Sequence, residues 1–464
     1  MHFRSITLIA ALAVGLLCNA TTAADETPVT VTLDFATPGQ TIDGFGASTA
    51  WYADNLMSMT PEVRAELLDY LFGEHGLGLD ILRVRIPPGK SSGPDEPYDF
   101  GHDGIVKQGT FIAEVQSRFG VRLMAVPWTA PAWMKDDGTP KDGGSLLPEN
   151  YDAYAAHLVG WVETMSRDYG LEFDILSAQN EPGVKTWESM EWTAEQLGTF
   201  VTEHLRPAMD ESGLELRLMI NEETDWRPKK MLNDLLADEQ VAAATDVVGG
   251  HAYFNSFGNP GPIDAAERLG KPVWMTEFYF GTYNLKEMTD PMRRLLAYGH
   301  VMDRFFDDAR VNAFLFWWAV SNPKHPYQGL VEVELGLERI ETFTPRRWST
   351  VFAHYSRFVH PGWRRVPSTV SPTGEPFHDV AATAFTGPAG DDGAVGPLTI
   401  VLVNSTDEPA VVQLAGLPTD ASLAWNGFLT TSARTMESQR HSPPDPSSIN
   451  LPPLSIMTLT ATPQ

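Results

Sequence analysis

Strand-like and helix-like segments alternate about eight times between Gly44 and Phe358. Short apolar runs suited to buried strands, such as 79–86, 121–127 and 246–251, are each followed by a segment with apolar residues at helical spacing. Parallel strands joined by short right-handed crossovers leave few arrangements for so long a series. The alternation therefore predicts an α/β fold, a (β/α)8 TIM barrel.

The pattern changes beyond residue 358. From about Val366, β-like segments at 398–404, 411–414 and 455–460 are separated by Gly, Pro and Asp turns. They predict a fused side β-sandwich, completed by the alternating strand at 29–35. The predicted domains are a signal peptide (1–24), an N-terminal strand joining the β-sandwich (25–40), the (β/α)8 barrel (41–362) and the β-sandwich side domain (363–464).

The first residues have the organisation of a secretory signal peptide. Arg4 precedes an apolar run at 6–17, and small residues follow up to residue 24. The run is too short to span a bilayer. Cys18, the only cysteine of the sequence, follows Leu17 where a lipoprotein signal needs a small residue, which disfavours lipidation. We expect a secreted protein, extracellular or periplasmic, with the signal peptide removed and no disulfide.

Charge and missing motifs narrow the function classes. The chain carries 33 Lys and Arg against 60 Asp and Glu, a formal net charge of -27. Nucleic acid or an anionic membrane would need a basic surface, so neither is expected as a partner. The sequence has no metal-binding histidine or cysteine motif, glycine-rich phosphate loop or serine-hydrolase elbow. We predict no cofactor and no metal, and expect a monomer.

Two of the predicted strands end in a glutamate. Glu181 follows the fourth strand in Asn180-Glu181-Pro182, and Glu277 ends the seventh. Because the carboxyl ends of barrel strands form one face, the two carboxylates are predicted to converge there. Such a pair suits glycoside hydrolysis, and Asn180 is predicted to bind a sugar hydroxyl. The alternatives are a carboxylate at a helix N-terminus for Glu181 and an ordinary exposed glutamate for Glu277.

Glu222 and Glu223 compete with this pair. They follow Asn221 at the end of the fifth strand but lack the following proline, and Asp225 adds further negative charge. We interpret them as residues that support or flank the cleft rather than as catalytic groups.

Other polar residues at strand ends are predicted to serve the cleft. Arg83 and Arg85 point to the same side of the second strand, where one of them is expected to hold Glu277 ionised. A structural salt bridge is the alternative for each arginine. His251 and Tyr253 end the sixth strand and are predicted to orient substrate and nucleophile, although a lone histidine is often purely structural.

Aromatic residues also collect at the strand ends. Sugars present apolar faces that stack on aromatic rings, so these side chains suit a saccharide cleft, while some of them are expected to lie in the core. The aromatic residues predicted to bind substrate are Trp51, Trp128, Tyr279, Trp317 and Trp318.

Together these motifs resemble glycoside hydrolase family 30 across nearly the whole predicted mature chain. The resemblance implies a barrel with a fused side β-sandwich, a retaining mechanism, Glu181 as acid/base and Glu277 as nucleophile. The matching stretches are 44–48, 82–86, 127–134, 179–182, 251–253 and 274–277.

Within that family the chain is most similar to the bacterial xylanases, through 82–86, the tandem tryptophans and 356–362. Relatives that recognise glucuronate branches carry an arginine in the loop after those tryptophans. Here the loop at 319–327 lacks it and offers only Lys324 and His325, so dependence on glucuronate is not expected.

The resemblance predicts a secreted retaining glycosidase that cleaves a plant-type polysaccharide, with β-1,4-xylan favoured. The same machinery would suit another β-linked glycan, such as β-1,6-glucan or β-1,6-galactan. A carbohydrate-binding protein without catalysis is the alternative from another class, and the presence of both glutamates speaks against it.

Overall fold

The computed structural model describes residues 28–89, 93, 103–227, 229–253, 259–279, 289–374, 377–389, 396–418, 423–439 and 445–464. The predicted signal peptide and Cys18 lie outside these residues. Within the described ranges, no helix combines the length and apolar character needed to cross a membrane.

The strands and helices alternate through the first part of the chain, and strands dominate the last part. The strands are β1 (Val29–Leu33), β2 (Gly44–Ser48), β3 (Ile81–Ile86), β4 (Arg122–Pro127), β5 (Phe173–Ser177), β6 (Arg217–Glu223), β7 (Val247–His251), β8 (Val273–Glu277), β9 (Ala313–Ser321), β10 (Gly329–Glu332), β11 (Thr344–Pro345), β12 (Arg364–Val366), β13 (Ser368–Ser371), β14 (Val380–Thr386), β15 (Leu398–Asn404), β16 (Ala410–Ala415), β17 (Leu423–Thr430), β18 (Glu437–Ser438), β19 (Ile449–Leu451) and β20 (Ser455–Pro463). The α-helices are α1 (Ala53–Leu56), α2 (Pro61–Phe72), α3 (Asp103–Phe119), α4 (Tyr151–Tyr169), α5 (Ala194–Thr199), α6 (Arg206–Ser212), α7 (Lys230–Ala237), α8 (Glu239–Ala244), α9 (Asp264–Arg268), α10 (Pro291–Asp307) and α11 (Arg347–Ser356).

Strands β2 to β9 form a closed parallel barrel. Each pairs with the next in sequence, and β9 pairs with both β8 and β2. Strand β10 lies parallel to β9 outside the barrel, and β11 is antiparallel to β10. The predicted TIM barrel is confirmed.

Local sequence signals begin and end several of the barrel helices. The Thr60 hydroxyl accepts a hydrogen bond from Val63 N–H at the start of α2, where Pro61 takes the first helical position. Thr193 and Gln196 form a reciprocal capping box at the start of α5. Gly170, with φ 67°, ends α4 in the left-handed conformation that glycine adopts without strain.

The side β-sandwich consists of two sheets. One has the strand order β13-β1-β16-β19 and the other β12-β14-β15-β20-β17-β18. Strand β1 pairs antiparallel with β13 and parallel with β16, which brings the N-terminal strand into the C-terminal sheets. The predicted side β-sandwich is confirmed, while the predicted domain bounds stay predictions.

Helices α10 and α11 carry the contacts between barrel and sandwich. The buried His354 ring lies 2.8 Å from both the Thr430 and Thr458 hydroxyls. Buried His300 similarly meets the Ser405 hydroxyl at 2.8 Å. These hydrogen bonds satisfy polar groups that would otherwise be costly to bury, and they fix the orientation of the sandwich on the barrel.

The inward face of the barrel strands is polar near the carboxyl ends of the strands and apolar in the layer that precedes those ends. Ile81, Met124, Ile175 and Met219 belong to one buried cluster inside the barrel. Because side chains alternate along a strand, residues two positions further point to the same side and lie nearer the carboxyl ends. Arg83 follows Ile81 in this way, and Ser177 follows Ile175.

Candidate active site

The carboxyl ends of β3 and β5 to β8 bring the predicted site residues together. Arg83 lies two positions after Ile81 in β3, Glu277 is the last residue of β8, and His251 is the last residue of β7. Glu181 lies just beyond β5, and its N–H donates to the Glu222 carbonyl over 3.1 Å. Both glutamates predicted at strand ends, Glu181 and Glu277, therefore face one cluster of polar groups.

Unusual backbone conformations concentrate at this face. Of the ten described non-glycine residues with positive φ, Trp51, Glu181, Asn221 and Glu222 lie at or just beyond the carboxyl ends of barrel strands. Asp142 and Trp187 lie further along the loops that follow β4 and β5. Such conformations persist only where surrounding structure enforces them, and they cluster at functional sites.

Arg83 forms the centre of the cluster. Its fully buried guanidinium donates to Glu277 Oε1 over 3.1 Å, to Glu222 Oε1 over 3.0 Å and to Asn180 Oδ1 over 2.6 Å. Burying an arginine is costly unless acceptors compensate for the lost hydration, and these three acceptors do so for the terminal nitrogens, while Nε has no hydrogen-bond partner among the described residues. Of the two arginines in β3, Arg83 thus contacts Glu277.

Arg85 has a different partner. Its Nε donates to Glu188 Oε1 over 2.8 Å, and the pair is partly exposed. Glu188 lies in the loop that follows Glu181, and no pattern in the sequence pointed to it. This contact joins the end of β3 to the loop after β5.

His251 connects the two predicted catalytic carboxylates. Its Nδ1 lies 2.9 Å from Glu181 Oε1 and 2.9 Å from Glu277 Oε2, while its Nε2 lies 3.7 Å from Glu222 Oε1. Burial alone would lower the pKa of His251, but the charge of Glu277 and hydrogen bonds to the carboxylates raise that pKa well above its ordinary value. A positively charged imidazolium is the form that this environment favours.

The surroundings shift the pKa of Glu181 and the pKa of Glu222 in opposite directions, although both carboxyls are buried. Burial, with the neighbouring Glu277 charge, raises the pKa of Glu181, although hydrogen bonding to His251 opposes the change. Burial would also raise the pKa of Glu222, but Arg83, His251 and Ser177 outweigh it and lower that pKa to about 2. One carboxyl is therefore suited to hold a proton and the other to remain ionised.

Glu222 lies deeper than the sequence indicated. It is fully buried, and the Ser177 hydroxyl donates to its Oε2 over 2.5 Å. Gly249 of β7 makes room for Glu222, since a Cβ at residue 249 would lie 2.7 Å from Glu222 Cγ.

The negative charge of Asp225 acts on Glu223 instead. Burial first and then Asp225 raise the pKa of Glu223 to about 7. Ser177 was not predicted, although it follows the inward-facing Ile175 by two positions.

Two tyrosines flank the Glu277 side of the cluster. Tyr253 is buried and hydrogen-bonds Glu277, and burial together with that carboxylate raises the pKa of the Tyr253 phenol well above its ordinary value. Tyr279 is only partly buried, and its ring packs edge-on against Tyr253 with centroids 5.3 Å apart. A neutral Tyr253 phenol is thus a hydrogen-bond donor to Glu277.

The four predicted tryptophans form one aromatic group. Trp51 packs against Trp128 at 4.9 Å and Trp317 at 5.7 Å between ring centroids, and Trp317 stacks on Trp318 at 4.8 Å. The Arg83 guanidinium lies 4.7 Å from the Trp128 ring centroid. Trp128, Trp317 and Trp318 are buried, whereas Trp51 is partly exposed. The group therefore forms a wall beside the carboxylates, with much of its ring area already covered.

Lys324 and His325 lie on the loop after β9. Both are exposed, and the His325 ring lies 5.7 Å from that of Trp318. The His325 ring thus packs against Trp318, one of the tryptophans of the aromatic wall.

Glu181, His251 and Glu277 also have the composition of a metal-ligand set, with one ligand atom from each lying within 4.8 Å of the others. Arg83, 3.1 Å from Glu277, places a fixed positive charge beside that set. A divalent cation there would be repelled by the guanidinium and would compete with it for Glu277. The arrangement suits proton transfer and nucleophilic attack better than cation binding.

The sequence of this chain is similar to those of known glycoside hydrolases. Residues 42–332 match the family model described as Glycosyl hydrolase family 59. Putative glucosylceramidase 3 of Caenorhabditis elegans is 27% identical over 278 residues, covering 55% of this chain and 52% of that protein. Glucuronoxylanase XynC of Bacillus subtilis (strain 168) is 24% identical over 351 residues, covering 74% of this chain and 72% of that protein.

The fold of this chain also resembles that of a solved xylanase. The glycoside hydrolase family 30 subfamily 8 xylanase Xyn30A from Clostridium acetobutylicum superposes with a TM-score of 0.74 at 25% identity, covering 93% of this chain and 99% of that one. The resemblance to family 30 and its xylanase branch is confirmed by these relatives. By the family model that it matches, the chain belongs to glycosyl hydrolase family 59, in the clan related to family 30.

Proposed function

We propose that this glycoside hydrolase is a retaining β-glycosidase that cleaves a plant-type polysaccharide, with β-1,4-xylan as its substrate. Glu277 is the nucleophile in this proposal, and Glu181 is the acid/base. The observation that carries it is the position of His251 Nδ1, 2.9 Å from one oxygen of each glutamate.

Carboxylate spacing supports retention. Retaining glycosidases hold their two carboxyl groups about 5–5.5 Å apart, whereas inverting enzymes need roughly 6.5–9.5 Å to admit a water molecule. Here an oxygen of Glu181 and an oxygen of Glu277 lie within 4.8 Å of each other. That separation suits direct attack by a carboxylate at the anomeric carbon.

The charges of the buried cluster support the same assignment. When Glu181 holds a proton, the positive charges of Arg83 and His251 balance the negative charges of Glu222 and Glu277. When Glu277 forms a glycosyl ester and Glu181 has given up its proton, the net charge of the cluster is unchanged, because the negative charge of Glu181 has replaced that of Glu277. A buried site in which the net charge stays constant avoids the cost of an unpaired charge at each step.

The chemical steps follow from that balance. Glu277 attacks the anomeric carbon as its bond to the leaving oxygen breaks, and Glu181 transfers its proton to that oxygen. Glu181, now ionised, removes a proton from water as the water attacks the same carbon and displaces Glu277. Its side chain is 17% exposed, against 4% for Glu277, so the acid/base is the more accessible of the two to leaving group and water.

Xylan as substrate rests on the xylanase relatives and on the aromatic wall. Trp51 and Tyr279 leave part of their rings accessible beside the carboxylates, where a sugar face can stack. We further propose that the protein acts as an exported monomer on polysaccharide, without nucleic acid, membrane or cofactor.

Azide rescue tests the two glutamate roles separately. Glu277→Ala should lose activity and regain it with azide as the α-configured glycosyl azide, because azide replaces the missing nucleophile. Glu181→Ala should form the glycosyl-enzyme from an aryl glycoside with a good leaving group, stall, and give the β-configured azide. Glu172→Ala, an exposed glutamate at the opposite end of β5, serves as the control and should behave as wild type. The opposite configurations from the two variants would refute the assignment.

A second candidate is hydrolysis of a β-glucoside, favoured by the relatives named as glucosylceramidases. The same catalytic groups serve either sugar, so the choice depends on the surrounding wall. Product analysis on xylan, β-1,6-glucan, β-1,6-galactan and an aryl β-glucoside distinguishes these substrates. Hydrolysis of any of them would exclude a purely carbohydrate-binding protein.

A further inference from the structure

Trp187 is an exposed tryptophan outside the aromatic wall. The residue is 81% exposed, and no aromatic ring or cation stacks on it among the residues that the structure describes. Tyr327, by contrast, packs against Trp348 with ring centroids 6.0 Å apart. The other exposed large apolar residues in the described ranges are only 39–47% exposed; they are Val106, Leu269, Tyr327 and Leu337.

The backbone of Trp187 is strained. Its φ of 58° lies in the left-handed region, where a bulky side chain is disfavoured and glycine is not. Trp51, in the aromatic wall, has a φ of 64°. A strained conformation that also leaves an indole in water has two local costs and no evident packing gain at Trp187. A functional use for the ring is the explanation that accounts for both.

The loop that carries Trp187 is held firmly. Buried Lys135 donates to the Ser189 carbonyl over 3.1 Å and to the Gly143 carbonyl, joining this loop to the one after β4. The Asp142 N–H donates to the Trp187 carbonyl over 2.8 Å. The indole is therefore presented on a preorganised support, which reduces the entropy lost when a ligand binds.

The same loop begins at the catalytic cluster. Trp187 follows Glu181 by six residues, so the two α-carbons lie at most about 22 Å apart. The neighbouring Glu188 binds Arg85, whose guanidinium lies 5.6 Å from the Trp51 ring centroid. Contacts thus run from the aromatic wall through Arg85 to the residue next to Trp187.

We propose that Trp187 is a remote sugar-binding subsite, which stacks on a pyranose ring of a β-glycan chain beyond the units held at Glu181 and Glu277. The inference rests on the proposed function and adds to it that the enzyme acts on polymer chains long enough to reach both places. An indole face binds the apolar face of a pyranose without contacting the substituents of the sugar. This subsite therefore raises the affinity for longer chains, whether or not they are branched.

Binding to a catalytically inactive protein tests the subsite apart from the chemistry. In a Glu277→Gln background, isothermal titration with xylo-oligosaccharides of increasing length should give affinities that rise with length, and Trp187→Ala should weaken only the longer ones, by roughly 3- to 10-fold. Trp187→Phe, which keeps a flat ring, should restore most of that affinity. Leu269→Ala removes an exposed apolar side chain at the opposite end of the barrel and should change nothing. Equal affinities with and without Trp187 would overturn the subsite, whereas no binding of any xylo-oligosaccharide would instead count against xylan as substrate.

A stability measurement separates a binding role from a structural one. Glycine adopts the φ of residue 187 without strain, which offsets its larger loss of conformational entropy on folding, so Trp187→Gly should melt close to the wild-type temperature while raising KM for soluble xylan roughly 3- to 10-fold. Hydrolysis of a short aryl β-xyloside should be unchanged, because that substrate does not reach the loop. A melting temperature lowered by more than the entropy of one added glycine explains, or an equal loss on both substrates, would contradict the proposal.

Discussion

The proximity of Glu181 and Glu277 predicts that each controls the protonation of the other. Replacing Glu277 with Gln removes a negative charge and keeps the shape of the side chain. Oxygens of the two carboxylates lie within 4.8 Å, and two unit charges at that separation repel by about 3.5 kcal/mol at an effective dielectric constant of about 20. Burial and the Glu277 charge both raise the pKa of Glu181, so Glu277→Gln should lower it. The same change is expected when a glycosyl ester neutralises Glu277, and it converts Glu181 from acid to base.

Nuclear magnetic resonance measures this directly. Protein labelled with ¹³C at the glutamate carboxyl carbon is titrated as wild type, as Glu277→Gln and after trapping with a 2-fluoro glycoside; the Glu181 signal is identified by its loss in Glu181→Gln. Glu172→Gln, remote from the cluster, controls for general effects of losing a carboxylate. An unchanged or higher pKa of Glu181 in Glu277→Gln would show that the two carboxylates are not electrostatically coupled, and the charge balance argued above would fail.

Three further predictions concern stability and specificity. Arg83→Met should lower the free energy of unfolding at pH 7 by roughly 3–5 kcal/mol in urea denaturation, because two buried carboxylates lose their cation. Arg85→Met should lower it less, because the Arg85 and Glu188 side chains keep 18% and 14% of their surface exposed to water, and equal losses from the two variants would contradict this reasoning. Burial lowers the pKa of His354 to about 3, below its value near 6.5 in the unfolded chain. The contribution of neutral His354 to stability is therefore full above pH 6.5 and is lost as the pH falls toward 3. Melting temperatures should decline over that pH range, and they should decline less steeply in His354→Gln. Without an arginine in the loop after β9, unbranched xylan should be cleaved at a rate comparable to glucuronoxylan in reducing-sugar assays, and activity confined to glucuronate-bearing chains would direct attention to Lys324 and His325.

Much of the architecture could be predicted from the sequence because its signals are periodic. Apolar runs alternating with helical spacing predict the barrel, and the change beyond residue 358 predicts the sandwich. Positions at strand ends also carry information, since parallel strands present their carboxyl ends on one face. For this reason Glu181, Glu277, Arg83 and His251 could be expected at one site before their contacts were known.

The contacts themselves depended on the tertiary structure. Arg83 and Arg85 are equivalent in the sequence, two positions apart on one strand, yet only Arg83 is fully enclosed by the barrel and meets Glu277. Glu222 resembled a flanking residue, and its deep position depends on the space that Gly249 leaves on the neighbouring strand. Trp187 lies in a loop without periodicity and away from any strand end, so nothing in the sequence indicated that its ring is exposed. Strand order and side-chain alternation are local properties that a sequence records, whereas burial, charge pairing and exposure arise only when distant segments pack together.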